Sequence, residues 1–165
     1  MAKAVFLDRD ETLNPDSGYI SDPDLFALYR WVPTELLLLK QADFMLILVS
    51  NQSGIGRGKV THDQLIAIHQ KLNRLLYEEA GIGIDDFSIC PHTPDDECDC
   101  RKPKPKLLLD AAERNDIDLS ASFMIGDRES DYEAGIAAGV RQSFLIVPGD
   151  EESFKRAVAT ILATS

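Results

Sequence analysis

Ala4-Val5-Phe6-Leu7-Asp8-Arg9-Asp10-Glu11-Thr12 decides the fold. Four consecutive apolar residues without helical periodicity read as a strand buried on both faces, as in a parallel sheet. Asp8 and Asp10 follow the strand directly. Two carboxylates two residues apart at a strand end can share a cation while one attacks and the other handles a proton. An acidic turn, in which Asp serves only hydrogen bonding, is the alternative reading of the same residues.

Outward from this stretch, apolar runs and helical patterns alternate. Residues 14–24 are rich in Pro, Asp, Ser and Gly and read as a loop. Val32–Gln41 reads as a helix with Pro33 in its first turn. Phe44–Val49 is a second strand ending at Ser50-Asn51, and the glycine-containing stretch 52–60 is a loop. Thr61 caps an amphipathic helix reaching Ala80, with Leu65, Ile68, Leu72, Leu75 and Leu76 on one face and Gly81 closing it. A strand over 87–90 enters a loop rich in Cys, His and Asp. A helix over 105–115, with Leu108, Leu109 and Ala112 inward, leads to a strand at 122–126. A helix over 131–138, a strand over 142–147 and a helix from Glu151 complete the chain. Such βα alternation predicts a doubly wound, Rossmann-like parallel sheet, a three-layer α/β fold in a single domain over residues 1–165. Ligands bind outside the carboxyl ends of such strands, where each chemically suggestive motif falls.

Ser50, Asn51, Gln52 and Ser53 offer a hydroxyl and amides for phosphoryl oxygens, or else a cap or Asx turn. Asp127, after the fourth strand, adds a third carboxylate for a hard cation such as Mg²⁺, and Asp131 serves either the site or a helix cap. Arg101-Lys102-Pro103-Lys104-Pro105-Lys106 concentrates four cations in six residues. It is a solvated face, or it brings Lys102 to a transferring phosphoryl group and Arg101 to the rest of an anionic substrate. Cys90, His92, Cys98 and Cys100 form a Cys-x-His-x₅-Cys-x-Cys pattern, a closed tetrahedral set for structural Zn²⁺. A disulfide is disfavoured by the odd count of three cysteines, and buried free thiols leave the histidine unexplained. His62 and His69 read as solvent-facing helix residues, and Trp31, Phe6, Phe44 and Phe123 as core or core edge.

The 165 residues carry 28 Asp+Glu against 17 Lys+Arg, a net charge of −11, with 44% hydrophobic residues. That balance argues against broad nucleic-acid binding, which requires a positive field. No apolar run approaches the roughly 20 residues of a membrane helix. The N-terminus meets Arg9 and acids before any secretory core forms, so the expected compartment is the cytoplasm; a monomer is expected.

Asp8-x-Asp10-x-Thr12, strand-end Ser50, Lys102 and Gly126-Asp127-x-x-x-Asp131 occur in the order of the four motifs of the haloacid dehalogenase (HAD) superfamily, which the chain resembles over residues 8–131. Cys-Pro-His followed by Cys-Asp-Cys-Arg-Lys-Pro is similar to the branch holding heptose 1,7-bisphosphate phosphatases and histidinol phosphatases. Asp16-Ser17-Gly18-Tyr19 and Asn51-Gln52-Ser53-Gly54-Ile55-Gly56-Arg57-Gly58-Lys59 resemble the heptose side. The resemblance implies a HAD-type sheet without a large cap domain and Mg²⁺-dependent removal of the 7-phosphate through an aspartyl-phosphate. It implies Asp8 as nucleophile, Asp10 as acid and base, and Ser50 and Lys102 on the phosphoryl oxygens. Mg²⁺ would lie on Asp8, the Asp10 carbonyl and Asp127. Asp16, Ser17, Gly18, Tyr19, Asn51, Gln52, Ser53, Arg101 and Arg128 would meet a small phosphorylated metabolite. Histidinol phosphate is the alternative substrate. Glu11 replaces the family's usual Gly, which leaves open an impaired phosphate-binding module.

Overall fold

The computed structural model describes residues 1–164. Among these, β1 (Lys3–Leu7), β2 (Phe44–Asn51), β3 (Asp86–Cys90), β4 (Phe123–Gly126) and β5 (Gln142–Leu145) form one sheet in the order β3-β2-β1-β4-β5. Every pair is parallel. Parallel pairing needs crossovers, and these are α1 (Val32–Gln41), the short α2 (Ser53–Gly56), α3 (His62–Ala80), α4 (Lys106–Arg114) and α5 (Glu129–Ala138), with α6 (Glu151–Thr164) following β5.

The apolar runs are continuous because both sheet faces are covered. Val5, Leu7, Leu46 and Leu48 pack with Leu36 of α1, Leu72 of α3 and Phe154 of α6. Ala4, Phe6, Ile47 and Val49, one position out of phase, pack with Leu108 of α4 and Ala134 of α5. Alternate side chains of each strand thus feed two cores, the three-layer doubly wound arrangement expected. Among the described residues every strand belongs to this one sheet, so no connection contributes a second sheet that could act as a large cap, and no helix is long and apolar enough to cross a membrane.

The caps of α3 are those expected. Thr61 accepts from the Gln64 N–H while the Gln64 side chain accepts from the Thr61 N–H, and Gly81 ends the helix at φ 69°. Two assignments are corrected. In α4 the buried residues are Leu107, Leu108, Ala111 and Ala112, while Leu109 is exposed, so the helix is turned by about one position from the face predicted. His69 is 8% exposed, on the same α3 face as Leu65, Ile68 and Leu72 rather than towards solvent, whereas His62 is exposed as expected.

Candidate active site

Strand register sets the site. Leu7 lies between Leu48 of β2 and Ile125 of β4, so the residues after each strand converge at one sheet edge. The Asp8 N–H donates to the Ile125 carbonyl at 3.1 Å, extending the ladder to the first carboxylate. The chain then turns sharply, with the Thr12 and Leu13 N–H groups donating to the Arg9 carbonyl. Central β1 is flanked by β2 on one side and β4 on the other, the switch point where doubly wound sheets open a crevice. A cleft of about 240 Å³ lies there.

Lys102 is the electrostatic centre of this cleft. It is 3% exposed, and its Nζ donates to Asp8 Oδ1 (2.8 Å), Asp131 Oδ1 (2.6 Å) and the Val49 carbonyl (2.8 Å). Burial alone lowers an ammonium's proton affinity, but Asp8 and Asp131 outweigh it and hold Lys102 above its ordinary value. Asn51 fixes the lysine from the backbone. Its Oδ1 accepts from the Lys102 N–H at 3.0 Å and its Nδ2 donates to the Lys102 carbonyl at 3.2 Å. Asp131 performs both roles left open by the sequence, since its other oxygen accepts from the Arg128 N–H at 3.0 Å and caps α5.

One oxygen from each of Asp8, Asp127 and Asp131 lies within 4.8 Å of the others. Burial, followed by hydrogen bonding to Asp8, pushes Asp127 up to about 7. A carboxylate whose proton affinity is raised by buried neighbours of like charge is the setting a divalent cation relieves, and an all-oxygen donor set fits a hard one. Thr12 Oγ1 orients Asp127 by donating to Oδ1 at 3.1 Å.

Asp10 lines the same cleft but is not one of that trio. Its carboxylate receives Arg9 Nε (3.0 Å) and Nη2 (3.2 Å), Asn14 Nδ2 (3.0 Å) and Gln52 Nε2 (3.1 Å). Burial works to raise its pKa, but Arg9, Asn14 and Gln52 together hold it below the usual carboxylate range. Gln52 also donates to Ser50 Oγ at 2.8 Å, so one amide links the two groups that would face a phosphoryl oxygen. Arg9, 1% exposed, is a site residue that sequence reasoning passed over. It donates to Gln52 Oε1 at 3.2 Å and to His69 Nε2 at 3.2 Å. Burial and the neighbouring guanidinium push His69 down to about 3, so it is a neutral acceptor on the far side of Arg9.

Most predicted substrate contacts line the cleft: Asp16, Gly18, Tyr19, Asn51, Gln52, Ser53, Arg101 and Arg128. Ser17 does not, and is exposed on the outer side of its loop. Glu11 stands at φ 67°, the left-handed region where glycine is favoured. Its carboxylate takes the Asp16 N–H and the Tyr29 hydroxyl and stays out of the cleft, adding no negative charge beside Asp8.

Beside the cleft, Cys90, His92, Cys98 and Cys100 bring four donor atoms within 4.8 Å of one another, a group able to hold a metal ion. Arg101 Nη1 donates to the His92 carbonyl at 3.4 Å and Lys104 Nζ to the Cys98 carbonyl, so the cluster and the basic segment form one unit.

A family model described as HAD-hydrolase-like matches residues 99–153. The D-glycero-beta-D-manno-heptose-1,7-bisphosphate 7-phosphatase of Helicobacter pylori is 42% identical over 88% of this chain and 84% of its own. That of Escherichia coli is 39% identical over 88% and 80%. The crystal structure of D,D-heptose 1,7-bisphosphate phosphatase from B. bronchiseptica, complexed with magnesium and phosphate, superimposes with a TM-score of 0.88 at 33% identity over 99% of both chains. With the carboxylates, lysine and strand ends placed as described, the chain belongs to the heptose bisphosphate phosphatase family of HAD-like hydrolases.

Proposed function

We propose that this protein is a Mg²⁺-dependent phosphomonoesterase that removes the 7-phosphate of D-glycero-D-manno-heptose 1,7-bisphosphate. The observation that carries the reading is Asp8 at the end of central β1, paired with buried Lys102 and facing Asp127 and Asp131 in a cleft lined with Arg101 and Arg128. The relatives cited act, by their names, on the heptose substrate rather than on histidinol phosphate.

Asp8 attacks phosphorus; its Oδ–P bond forms as the ester P–O bond breaks, and the departing sugar oxygen takes the Asp10 proton. Water then attacks the aspartyl-phosphate, gives its proton to Asp10 and releases phosphate, restoring Asp8. An entering phosphoryl dianion raises the proton affinity of Asp10 and so opposes the pull of Arg9. Lys102 and Ser50 stabilise phosphoryl oxygens, which suits a reaction driven by positioning and charge compensation. Asp8, Asp127 and the Asp10 carbonyl are the groups that would hold Mg²⁺, which supplies neutralisation of phosphoryl charge when bound.

Three thiols and an imidazole suit a closed Zn²⁺ site that anchors the segment bearing Arg101 and Lys102. On the same reading the whole chain is one phosphatase domain, a cytoplasmic monomer acting on a small metabolite with neither nucleic acid nor membrane as partner. Phosphate release from the heptose bisphosphate and from an aryl phosphate, with Mg²⁺, tests the proposal against Asp8→Asn. The variant is expected to lose at least about 10³-fold in kcat. Equal release by the two proteins would sink the enzyme assignment.

A further inference from the structure

Glu11 keeps a side chain where the backbone favours none, and its contacts explain what that side chain does. At φ 67° its carboxylate accepts the Asp16 N–H at 3.1 Å through Oε1 and the Tyr29 hydroxyl at 3.0 Å through Oε2. Its own N–H donates to the Asn14 carbonyl at 2.7 Å, and its carbonyl accepts the Gly149 N–H at 3.3 Å. Tyr29 is itself immobilised, stacked on Trp31 at 4.8 Å. The segment held by Oε1 is the outer wall of the cleft, since Asp16, Gly18, Tyr19 and Ile20 line it while Glu11 does not.

Two other contacts shape this wall. Asp16 Oδ1 takes the Gly18 N–H at 2.9 Å, closing a tight turn. The Tyr19 ring lies against Gly54, where an added Cβ would meet Cδ1 at 2.8 Å. The far end of the wall therefore rests on α2, and the near end is tied by Glu11 to the turn that carries Asp8 and Asp10. The tie joins the outer wall of the cleft to the turn that performs the chemistry.

We propose that Glu11 is a positioning residue for substrate selection: by fixing the Asp16–Ile20 wall from behind, it favours phosphoesters with a polar sugar body over small ones. This rests on the reading of the cleft as a sugar-phosphate site. A small aryl phosphate reaches Asp8 without needing the wall, whereas a heptose bisphosphate fills the cleft and gains from a wall already in place.

Glu11→Gly relieves the backbone angle while removing the carboxylate, and Glu11→Gln keeps an acceptor for Asp16 and a donor for Tyr29. Two quantities are read: the ratio of kcat/KM for the heptose bisphosphate to that for the aryl phosphate, and hydrogen–deuterium exchange at residues 16–20 without substrate. Glu11→Gly is expected to lower the ratio about ten-fold, mainly through KM on the bisphosphate, and to speed exchange about ten-fold; Glu11→Gln is expected to restore both to within three-fold. An unchanged ratio overturns the proposal even if exchange speeds, because Glu11 is then only a brace. Should the parent protein hydrolyse the aryl phosphate but not the heptose bisphosphate, the substrate assignment fails separately. Exchange then decides, and unaltered protection at Asp16 in Glu11→Gly overturns the tie as well.

Discussion

Replacing Lys102 by Met isolates what one buried charge contributes. The side chain is close in volume, so packing is largely kept, but Asp8 and Asp131 lose the ammonium that lies 2.8 and 2.6 Å from them. At an effective dielectric constant near 20, each such pair attracts by roughly 6 kcal/mol, against a desolvation cost of several kcal/mol per ion. The net worth of the pairs is therefore smaller than either figure. Leaving a buried partner uncompensated costs about 3–5 kcal/mol. For a chain of this size that corresponds to a Tm lower by roughly 6–20 °C. Thermal unfolding followed by circular dichroism, without added Mg²⁺, measures it. The companion Lys102→Met/Asp131→Asn variant removes one of the stranded carboxylates and is expected to recover at least about 1 kcal/mol of the loss. Phosphatase activity should fall at least about 10²-fold in both, because the phosphoryl oxygens lose the positive charge beside Asp8. A single variant melting within 2 °C of the parent, or no recovery in the double variant, would refute the account of Lys102 as the counter-charge of the site.

His69 gives a pH dependence with a definite sign. Its folded pKa of about 3 lies below the ordinary 6.5, so below pH 6.5 the unfolded chain binds a proton the folded chain refuses. Stability due to this residue is present above pH 6.5 and lost as pH falls towards 3. Between pH 7 and pH 5.5 the parent should lose about 1 kcal/mol more than His69→Gln in urea titrations, and parallel losses would refute it. Gly126→Ala places a Cβ 2.3 Å from the Asp131 Cβ, displacing the partner of Lys102; a loss of about 1–3 kcal/mol and a clear drop in phosphate release are expected, and wild-type stability would contradict this packing. Metal analysis should find about one Zn²⁺ per chain, with chelation lowering the Tm. Zinc-free purified protein of full stability would defeat that reading.

The strand ends were legible because a short apolar run followed by Asp, or by Ser-Asn, has few other interpretations in a parallel sheet. Register then carried Asp8, Ser50 and Asp127 to one edge with no further information. Four features escaped. Leu107-Leu108-Leu109 presents leucine on all sides, so only Ala111 and Ala112 reveal which way α4 faces. His69 sits in phase with Leu65, Ile68, Leu72 and Leu76, and that spacing was the available sign of its burial; residue type drew attention away from it. Arg9 had no such sign, because its burial depends on Asp10, Gln52 and His69, partners up to 60 positions away. Asn51, read as a substrate contact, lines the cleft and also clamps the Lys102 backbone, a role the sequence did not reveal because it depends on a pairing 51 positions apart.

The ammonium of Lys102 and the carboxylate of Asp8 are contributed by residues 94 positions apart. Neither end of the chain holds a phosphate-ready arrangement of its own, and before the sheet closes Asp8 and Asp131 lack the ammonium of Lys102 between them. The charge balance of the cleft is thus a property of the finished topology. A nascent or partly unfolded chain carries the reactive aspartate without the lysine that fits it for phosphoryl transfer, so hydrolytic competence arrives together with the native state.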